Sequence, residues 1–277
     1  MAFGILNNIN ALQAEAAVNN TQSSLNTTLQ QLATGMRINS GADDPAGLAI
    51  ANGLSANIAA LNQSVSNAND GVGSLQVADG ALSQVTSLLN TAVTIATEAA
   101  SGTVSSSQRD SLNSEYQQIL QEINQIGTTT TYNGTSVFSA TTTSIFLTDA
   151  NSTSTITNSV GVLSSTSLGL TTGGVNTSLA GTSGVNAQAA LTAIDAAIQT
   201  VANDRGSIGA SVVRLQDASA VMTTEITNLT AAENNIMAAD IPSTISNLSR
   251  ESVLSQTGMA ALAQANSQES SILTLLH

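Results

Sequence analysis

Apolar residues recur at steps of three and four near both ends of the chain. Ile5, Ile9, Leu12 and Ala16 keep that step, and so do Leu25, Leu29, Leu32 and Met36. Towards the other end Ile241, Ile245 and Leu248 start the same rhythm, and Met259, Leu262, Leu273 and Leu276 fall on its continuation. The slots between them hold Ser252, Ser255, Asn266 and Glu269. A pattern of this kind predicts narrow seams for packing helix against helix. Because polar residues interrupt the seams, each helix alone is marginal in water. The ends are therefore expected to be frayed in the monomer and helical once partnered, with folding coupled to binding.

Longer helical patterns lie inside these ends. One covers about 45–100, with Leu48, Leu54, Ile58, Leu61, Val65, Leu75, Leu82 and Leu89 among its apolar positions, and SGTVSS breaks it. A second runs from about 108 to 126 through Leu112, Tyr116, Ile119, Leu120, Ile123 and Ile126, and a third from about 186 to 239. Between 128 and 185 the texture changes to Thr, Ser, Gly and Val. There TSIFLTDANSTSTITNSVGVL reads as β-branched strand segments with DANS as their turn, and TTGGVNTSLAGTSGV as loop. Helices, a β excursion and helices again describe a chain that goes out and comes back. Its two ends are predicted to pair as one discontinuous domain.

Composition makes a compact globule a poor description. Of 277 residues 42% are apolar, yet aromatics are only 2% and Trp is absent, so the side chains with the largest burial areas are scarce. Charged residues are 8%, and a surface of Ser, Thr, Asn and Gln repels other chains weakly, which favours self-association. Five Arg with no Lys against 18 acids give a net charge of −13. That balance argues against nucleic acid, which needs a basic stripe, and against anionic membrane surfaces. Without Cys there are no disulfides or thiolate sites. The N-terminus lacks a basic region and a continuous apolar region, which speaks against an ordinary cleaved secretory signal.

Candidate chemistry concentrates in LATGMRINSGADDPAGLAI, where Arg37, Asp43 and Asp44 stand close together. No histidine or second carboxylate pair accompanies them to separate their pKa values for acid–base work. DDPAG also lacks the ligand spacing of a calcium loop. The lone histidine is His277, and phosphate-cradling or nucleophile-elbow motifs are missing. No catalytic residue, cofactor or metal site is therefore expected. Asp44 before Pro45 reads instead as a helix N-cap with proline in the first turn, Asp43 as favourable charge near the positive end of the helix dipole, and SGA as the breaker between two helical regions.

LATGMRINSGADDPAGLAIANGL resembles the signature of bacterial flagellin. NDRGSIGASVVRLQDA, ITNLTAAENNI and SNLSRESVLSQTGMAALAQANSQESSILTLL are similar to that family's C-terminal half, in order and spacing. The resemblance covers both ends and most of the chain between them. It implies a mainly α fold: a long helical rod, antiparallel terminal coiled-coil helices and a small β-hairpin region near 143–165. Residues 1–44 and 236–277 would be the inner layer and 45–235 the outer rod, with its β excursion at 128–185, as a minimal form without large outer domains. The implied function is a non-enzymatic structural subunit that self-assembles into the helical flagellar filament for motility. It would be exported unfolded through the flagellar type III channel without a cleaved signal, and would reside outside the cell.

The implied partners are further copies of the chain, an export chaperone, the filament cap and the hook-junction proteins. Candidates for contacts between copies are Ile5, Ile9, Leu12, Leu25, Leu29, Leu32, Met36, Arg37, Asp43, Asp44, Arg250, Met259, Leu262, Leu273 and Leu276. Flagellins detected by the animal Toll-like innate receptor commonly carry an arginine-rich patch. The matching stretch here is LNTAVTIA, where Thr91 replaces the first arginine and Ile95 the leucine, while Glu115 keeps the family's acid on the facing helix. Thr cannot replace a guanidinium fork, so weak activation of that receptor is expected. The rival readings are a hook–filament junction protein, distinguished by copy number, and a surface adhesin acting through its Thr-rich 139–185 segment.

Overall fold

The structure, a computed structural model, describes residues 8–139, 143–146, 155–158, 160–172 and 175–275. It is mainly α. Among the described residues five helices, α1 (Ile9–Thr34), α2 (Pro45–Ala100), α3 (Ser106–Thr129), α4 (Val185–Met237) and α5 (Ile241–Leu275), carry three small hairpins between α3 and α4. The chain divides into two compact units, 1–56 with 227–277, and 57–226.

In the first unit the two terminal helices, α1 and α5, pack on each other antiparallel. The Asn8 side-chain amide donates to the Ala265 carbonyl at 3.1 Å, Val18 lies against Gly258, and Met36 forms an antiparallel bridge with Ala238. The covered side of α1 comprises Ala11, Ala14, Val18, Thr21, Leu25, Thr28 and Leu32, and that of α5 Thr244, Leu248, Glu251, Ser255, Gly258, Leu262 and Ala265. Steps of three and four make this a heptad seam, filled largely by small and hydroxylated residues. Only part of the apolar step in the sequence belongs to it. Leu25, Leu32, Leu248 and Leu262 are covered, whereas Ile9, Leu12, Ala16, Leu29, Met36, Ile241, Ile245 and Met259 lie outside.

The second unit, by itself, shows a similar spacing of buried positions along its long helices. Along α2 the buried positions in this unit are Leu61, Ser64, Ala68, Gly71, Leu75, Ala78, Leu82, Val85, Leu89, Ala92, Ile95, Ala96 and Ala99. Along α4 they are Ala187, Ala190, Ile194, Ala197, Val201, Ile208, Leu215 and Met222. Steps of three and four along α2, and of three, four and then seven along α4, are the heptad spacing of long helices that pack along one stripe. Helix α3 begins with a reciprocal capping box between Ser105 and Gln108 and buries Tyr116, Leu120 and Ile123. Tyr116 Oη lies 2.6 Å from Thr177 Oγ1.

Arg109 is 3% exposed and donates to the carbonyls of Ala99 (2.8 Å), Ser101 (2.8 Å) and Thr182 (3.5 Å). A cation among the last carbonyls of α2 suits the negative end of the helix dipole. Asp79 and Arg205 form a two-pronged pair at 2.7 and 3.3 Å, and that hydrogen bond, opposed in part by desolvation, holds the Asp79 carboxyl below its ordinary range.

The hairpins are β1 (Thr131–Tyr132) with β2 (Thr135–Ser136), β3 (Thr143–Phe146) with β4 (Thr155–Asn158), and β5 (Thr171–Thr172) with β6 (Val175–Asn176), all antiparallel. The strands expected in TSIFLTDANSTSTITNSVGVL thus pair as β3–β4, in the register Ile145↔Ile156; the DANS turn lies outside the described residues. Ile145 packs over Gly71 of α2 and beside Leu215 of α4, a contact that a Cβ at Gly71 would block. Two local readings are corrected. Thr171–Thr172 and Val175–Asn176, expected as loop, pair as β5 and β6, and TYNGTS, for which no element was expected, forms the β1–β2 hairpin on its Asn-Gly turn.

Candidate assembly surface

The run 35–48 links α1 to α2 and is built by local bonds together with bonds to the α4–α5 link. Helix α1 ends at Thr34, where Gly35 takes a left-handed φ of 69° and its N–H donates to the Gln31 carbonyl. That is the glycine C-cap expected of a helix end, and it stops the helix before Met36, earlier than the SGA breaker. From there the backbone runs beside the α4–α5 link. Arg37 N donates to the Met237 carbonyl at 2.6 Å and Ala239 N to the Gly35 carbonyl at 2.9 Å. The Arg37 guanidinium donates to the Ile236 carbonyl at 2.8 Å.

Both acids serve the backbone. Asp43 Oδ2 accepts from the amides of Asn39 (3.0 Å) and Ser40 (2.8 Å) and from the Ser40 hydroxyl (3.1 Å). Those backbone bonds hold its carboxyl below the ordinary value. Asp44 Oδ1 accepts from the Gly47 amide at 2.9 Å, and Pro45 opens α2, which is the N-cap arrangement. A Cβ at Gly47 would collide with the Asp44 carboxylate and with Ile38, itself 2% exposed. No group of three His, Asp or Glu among the described residues is placed to hold a metal ion.

The terminal helices carry the other candidates. Ile9, Leu12, Leu29, Met36 and Met259 are exposed, with Ile9 at 64%. Leu25, Leu32 and Leu262 line the seam. Arg250 is exposed and donates to Asn247 Oδ1 at 2.8 Å. Ile5 and Leu276 lie outside the described residues, as does the side chain of Leu273, a residue of α5. The sequence pattern missed Val253 and Leu254, also exposed on α5, because they fall off the three–four step. It also missed the small seam residues Thr28 and Gly258, whereas Ser255, one of its polar slots, is buried in the seam. In the second unit Thr91 and Glu115 are exposed on α2 and α3, whereas Ile95 is buried. No helix among the described residues is long and apolar enough to cross a membrane.

Comparison with known proteins bears on this arrangement. The model of the bacterial flagellin N-terminal helical region matches residues 5–143, and that of the C-terminal helical region residues 191–276. Flagellin of Halalkalibacterium halodurans is 34% identical over 252 residues, covering 90% of each chain. Flagellin FlaB2 of Treponema pallidum is 27% identical over 283 residues, which is 98% of this chain and 99% of that one. Flagellin A of Helicobacter pylori is 39% identical over 139 residues, 50% of this chain but 27% of its own length. The crystal structure of Bacillus cereus flagellin is 30% identical, covering 61% of this chain and 94% of that chain with a TM-score of 0.48. With both helical regions matched and a relative of nearly the same extent, this chain belongs to the bacterial flagellins, structural subunits of the flagellar filament, in a short form.

Proposed function

We propose that the outward apolar residues of α1 and α5 are the surface through which copies of the chain stack into the filament. The observation that carries this reading is the apolar surface that the pairing of α1 and α5 leaves over. Ala, Thr, Ser and Gly share the intramolecular seam with Leu25, Leu32, Leu248 and Leu262, while Ile9, Leu12, Leu29, Leu254 and Met259 are left in water. Apolar area on this scale is stabilising only once a partner covers it. Contacts of one patch on a different patch of the next copy do not close on themselves and so generate a helical tube.

In this reading residues 1–44 and 236–277 form the inner layer and 45–235 the outer rod. Arg37, Asp43 and Asp44 shape the joint and set its register, and Arg250 adds a polar contact between copies. Interrupted by polar residues, the seam between α1 and α5 would let the ends stay loosely folded until assembly. The same looseness suits export unfolded, without a cleaved signal, with a chaperone, the cap and hook-junction proteins as transient partners. The role is structural and extracellular, with no catalysis. Deleting residues 1–30 or 248–277 is expected to abolish filaments while leaving the rod folded; normal filaments from either truncation would sink the proposal. Thr91 in place of an arginine makes the monomer a weak activator of the animal innate receptor, and full potency in a reporter assay would refute that.

A further inference from the structure

The chain contains two Asn-Gly steps, and the fold treats them differently. Asn52–Gly53 lies within α2, where the Gly53 amide is engaged in the helical i→i−4 ladder. Asn133–Gly134 forms the two-residue turn between β1 and β2, with both residues exposed and at positive φ, 48° and 76°. The bond that closes such a turn joins its outer residues, here Tyr132 and Thr135, so the amide of the second central residue has no ladder partner. A Cβ at Gly134 would meet nothing within 4 Å, so the surroundings place no obstacle around that nitrogen.

We propose that Asn133 is a site of spontaneous covalent modification, deamidation through a cyclic imide. The Gly134 backbone nitrogen gives up its proton to water and attacks the Asn133 side-chain carbonyl carbon. The new C–N bond closes a five-membered ring, the bond from that carbon to Nδ2 breaks, and ammonia leaves carrying a proton. Water then adds to one of the two imide carbonyls, and the C–N bond at that carbon breaks. Opening at one carbonyl leaves aspartate and at the other isoaspartate. Overall one water is consumed and one ammonia released, nothing is oxidised or reduced, and the chain gains one carboxylate.

Two features of the fold favour the reaction at this turn. Glycine offers no side chain to shield the attacking nitrogen. The ladder that holds the turn is also only two residue pairs long, so the local opening that lets nitrogen reach carbonyl requires little free energy. At Asn52 several turns of α2 would have to open first. The isoaspartyl product reroutes the main chain through the side-chain carbon and lengthens a turn whose register requires two residues. Tyr132, whose hydroxyl lies 3.0 Å from where a Cβ on Gly73 would stand, would lose its seat on α2.

The test is incubation of the full-length monomer in mildly alkaline buffer, then digestion and isomer-resolving mass spectrometry. The peptide containing Asn133 is expected to convert at least about tenfold faster than the peptide containing Asn52, as their different openings require. Isoaspartate should exceed aspartate, and Asn133→Ser should remove the signal. An intact Asn133 in the folded chain, while a free peptide of the same sequence converts, would overturn the proposal, as would conversion of Asn52 at an equal rate.

Discussion

Replacing Leu12 and Leu29 together by Gln separates what holds the subunit together from what holds copies together. Gln and Leu have nearly the same helix propensity, and neither leucine lies in the α1–α5 seam. The monomer should therefore change by no more than about 1 kcal/mol, about 0.5 kcal/mol being the usual range for each surface substitution. Full burial of a leucine side chain is worth about 1.5–3 kcal/mol. Leu12 is 60% exposed and Leu29 45%, so covering what remains of both contributes about 1.6–3.2 kcal/mol per subunit added. That corresponds to a critical concentration for seeded polymerisation raised roughly 15- to 200-fold. Sedimentation of polymer against monomer concentration reads this shift, and thermal melting of the monomer supplies the control. An unchanged critical concentration, with the variant incorporated into filaments, would refute the outward-surface argument. A monomer weakened as much as the polymer would refute it equally.

Three further outcomes follow from the described geometry. Gly127→Ala places a Cβ on the Leu163 carbonyl oxygen, a backbone atom, whereas at Gly80 the space is open. The first should destabilise by about 1–3 kcal/mol and the second stabilise by about 0.5–1 kcal/mol, read as urea midpoints. Arg109→Met leaves the Ala99 and Ser101 carbonyls without their donor and should cost about 2–4 kcal/mol, with a lower Tm. Asp43 and Asp79 both have folded-state pKa values below the ordinary 3.8, the first through backbone bonds and the second through Arg205. Their stabilisation is complete above the ordinary value and is lost as pH falls through it towards the folded pKa. The double variant Asp43→Asn, Asp79→Asn should accordingly show a flatter loss of stability on acidification, measured as denaturation midpoint against pH.

The long helices were legible because leucine and isoleucine mark them at helical spacing. The expected bounds of α2, about 45–100, match Pro45–Ala100. The cap Asp44–Pro45 was legible because the chemistry of a helix start is local. The seam between α1 and α5 was legible only in part, through Leu25, Leu32, Leu248, Leu262 and the polar slot Ser255. Its other members include Ala11, Ala14, Thr21, Thr28 and Gly258, residues that hydropathy reads as neutral, and larger apolar neighbours stand on the opposite face. For the same reason the core of α2 was seen through Leu61, Leu75, Leu82 and Leu89, but not through Ala68, Ala78 or Gly71. The end of α1 at Gly35 was overlooked because Met36 continues the apolar step that the glycine has already broken.

The bonds of the run 35–48 also bear on the order in which the chain folds. Asp43 reaches back three and four residues, and Asp44 forward three. Closing loops so short takes on the order of 10–100 ns and needs nothing from the rest of the protein. The bond from Asn8 to Ala265 instead spans a separation of 257 residues, and its closure must wait for the whole path between to be laid down. The Asp43–Asp44 turn can thus close early on its own, whereas the bonds of Arg37 to Ile236 and Met237, and the terminal pairing, wait for the returning chain. A chain with that kinetic hierarchy has its turn ready before its ends meet.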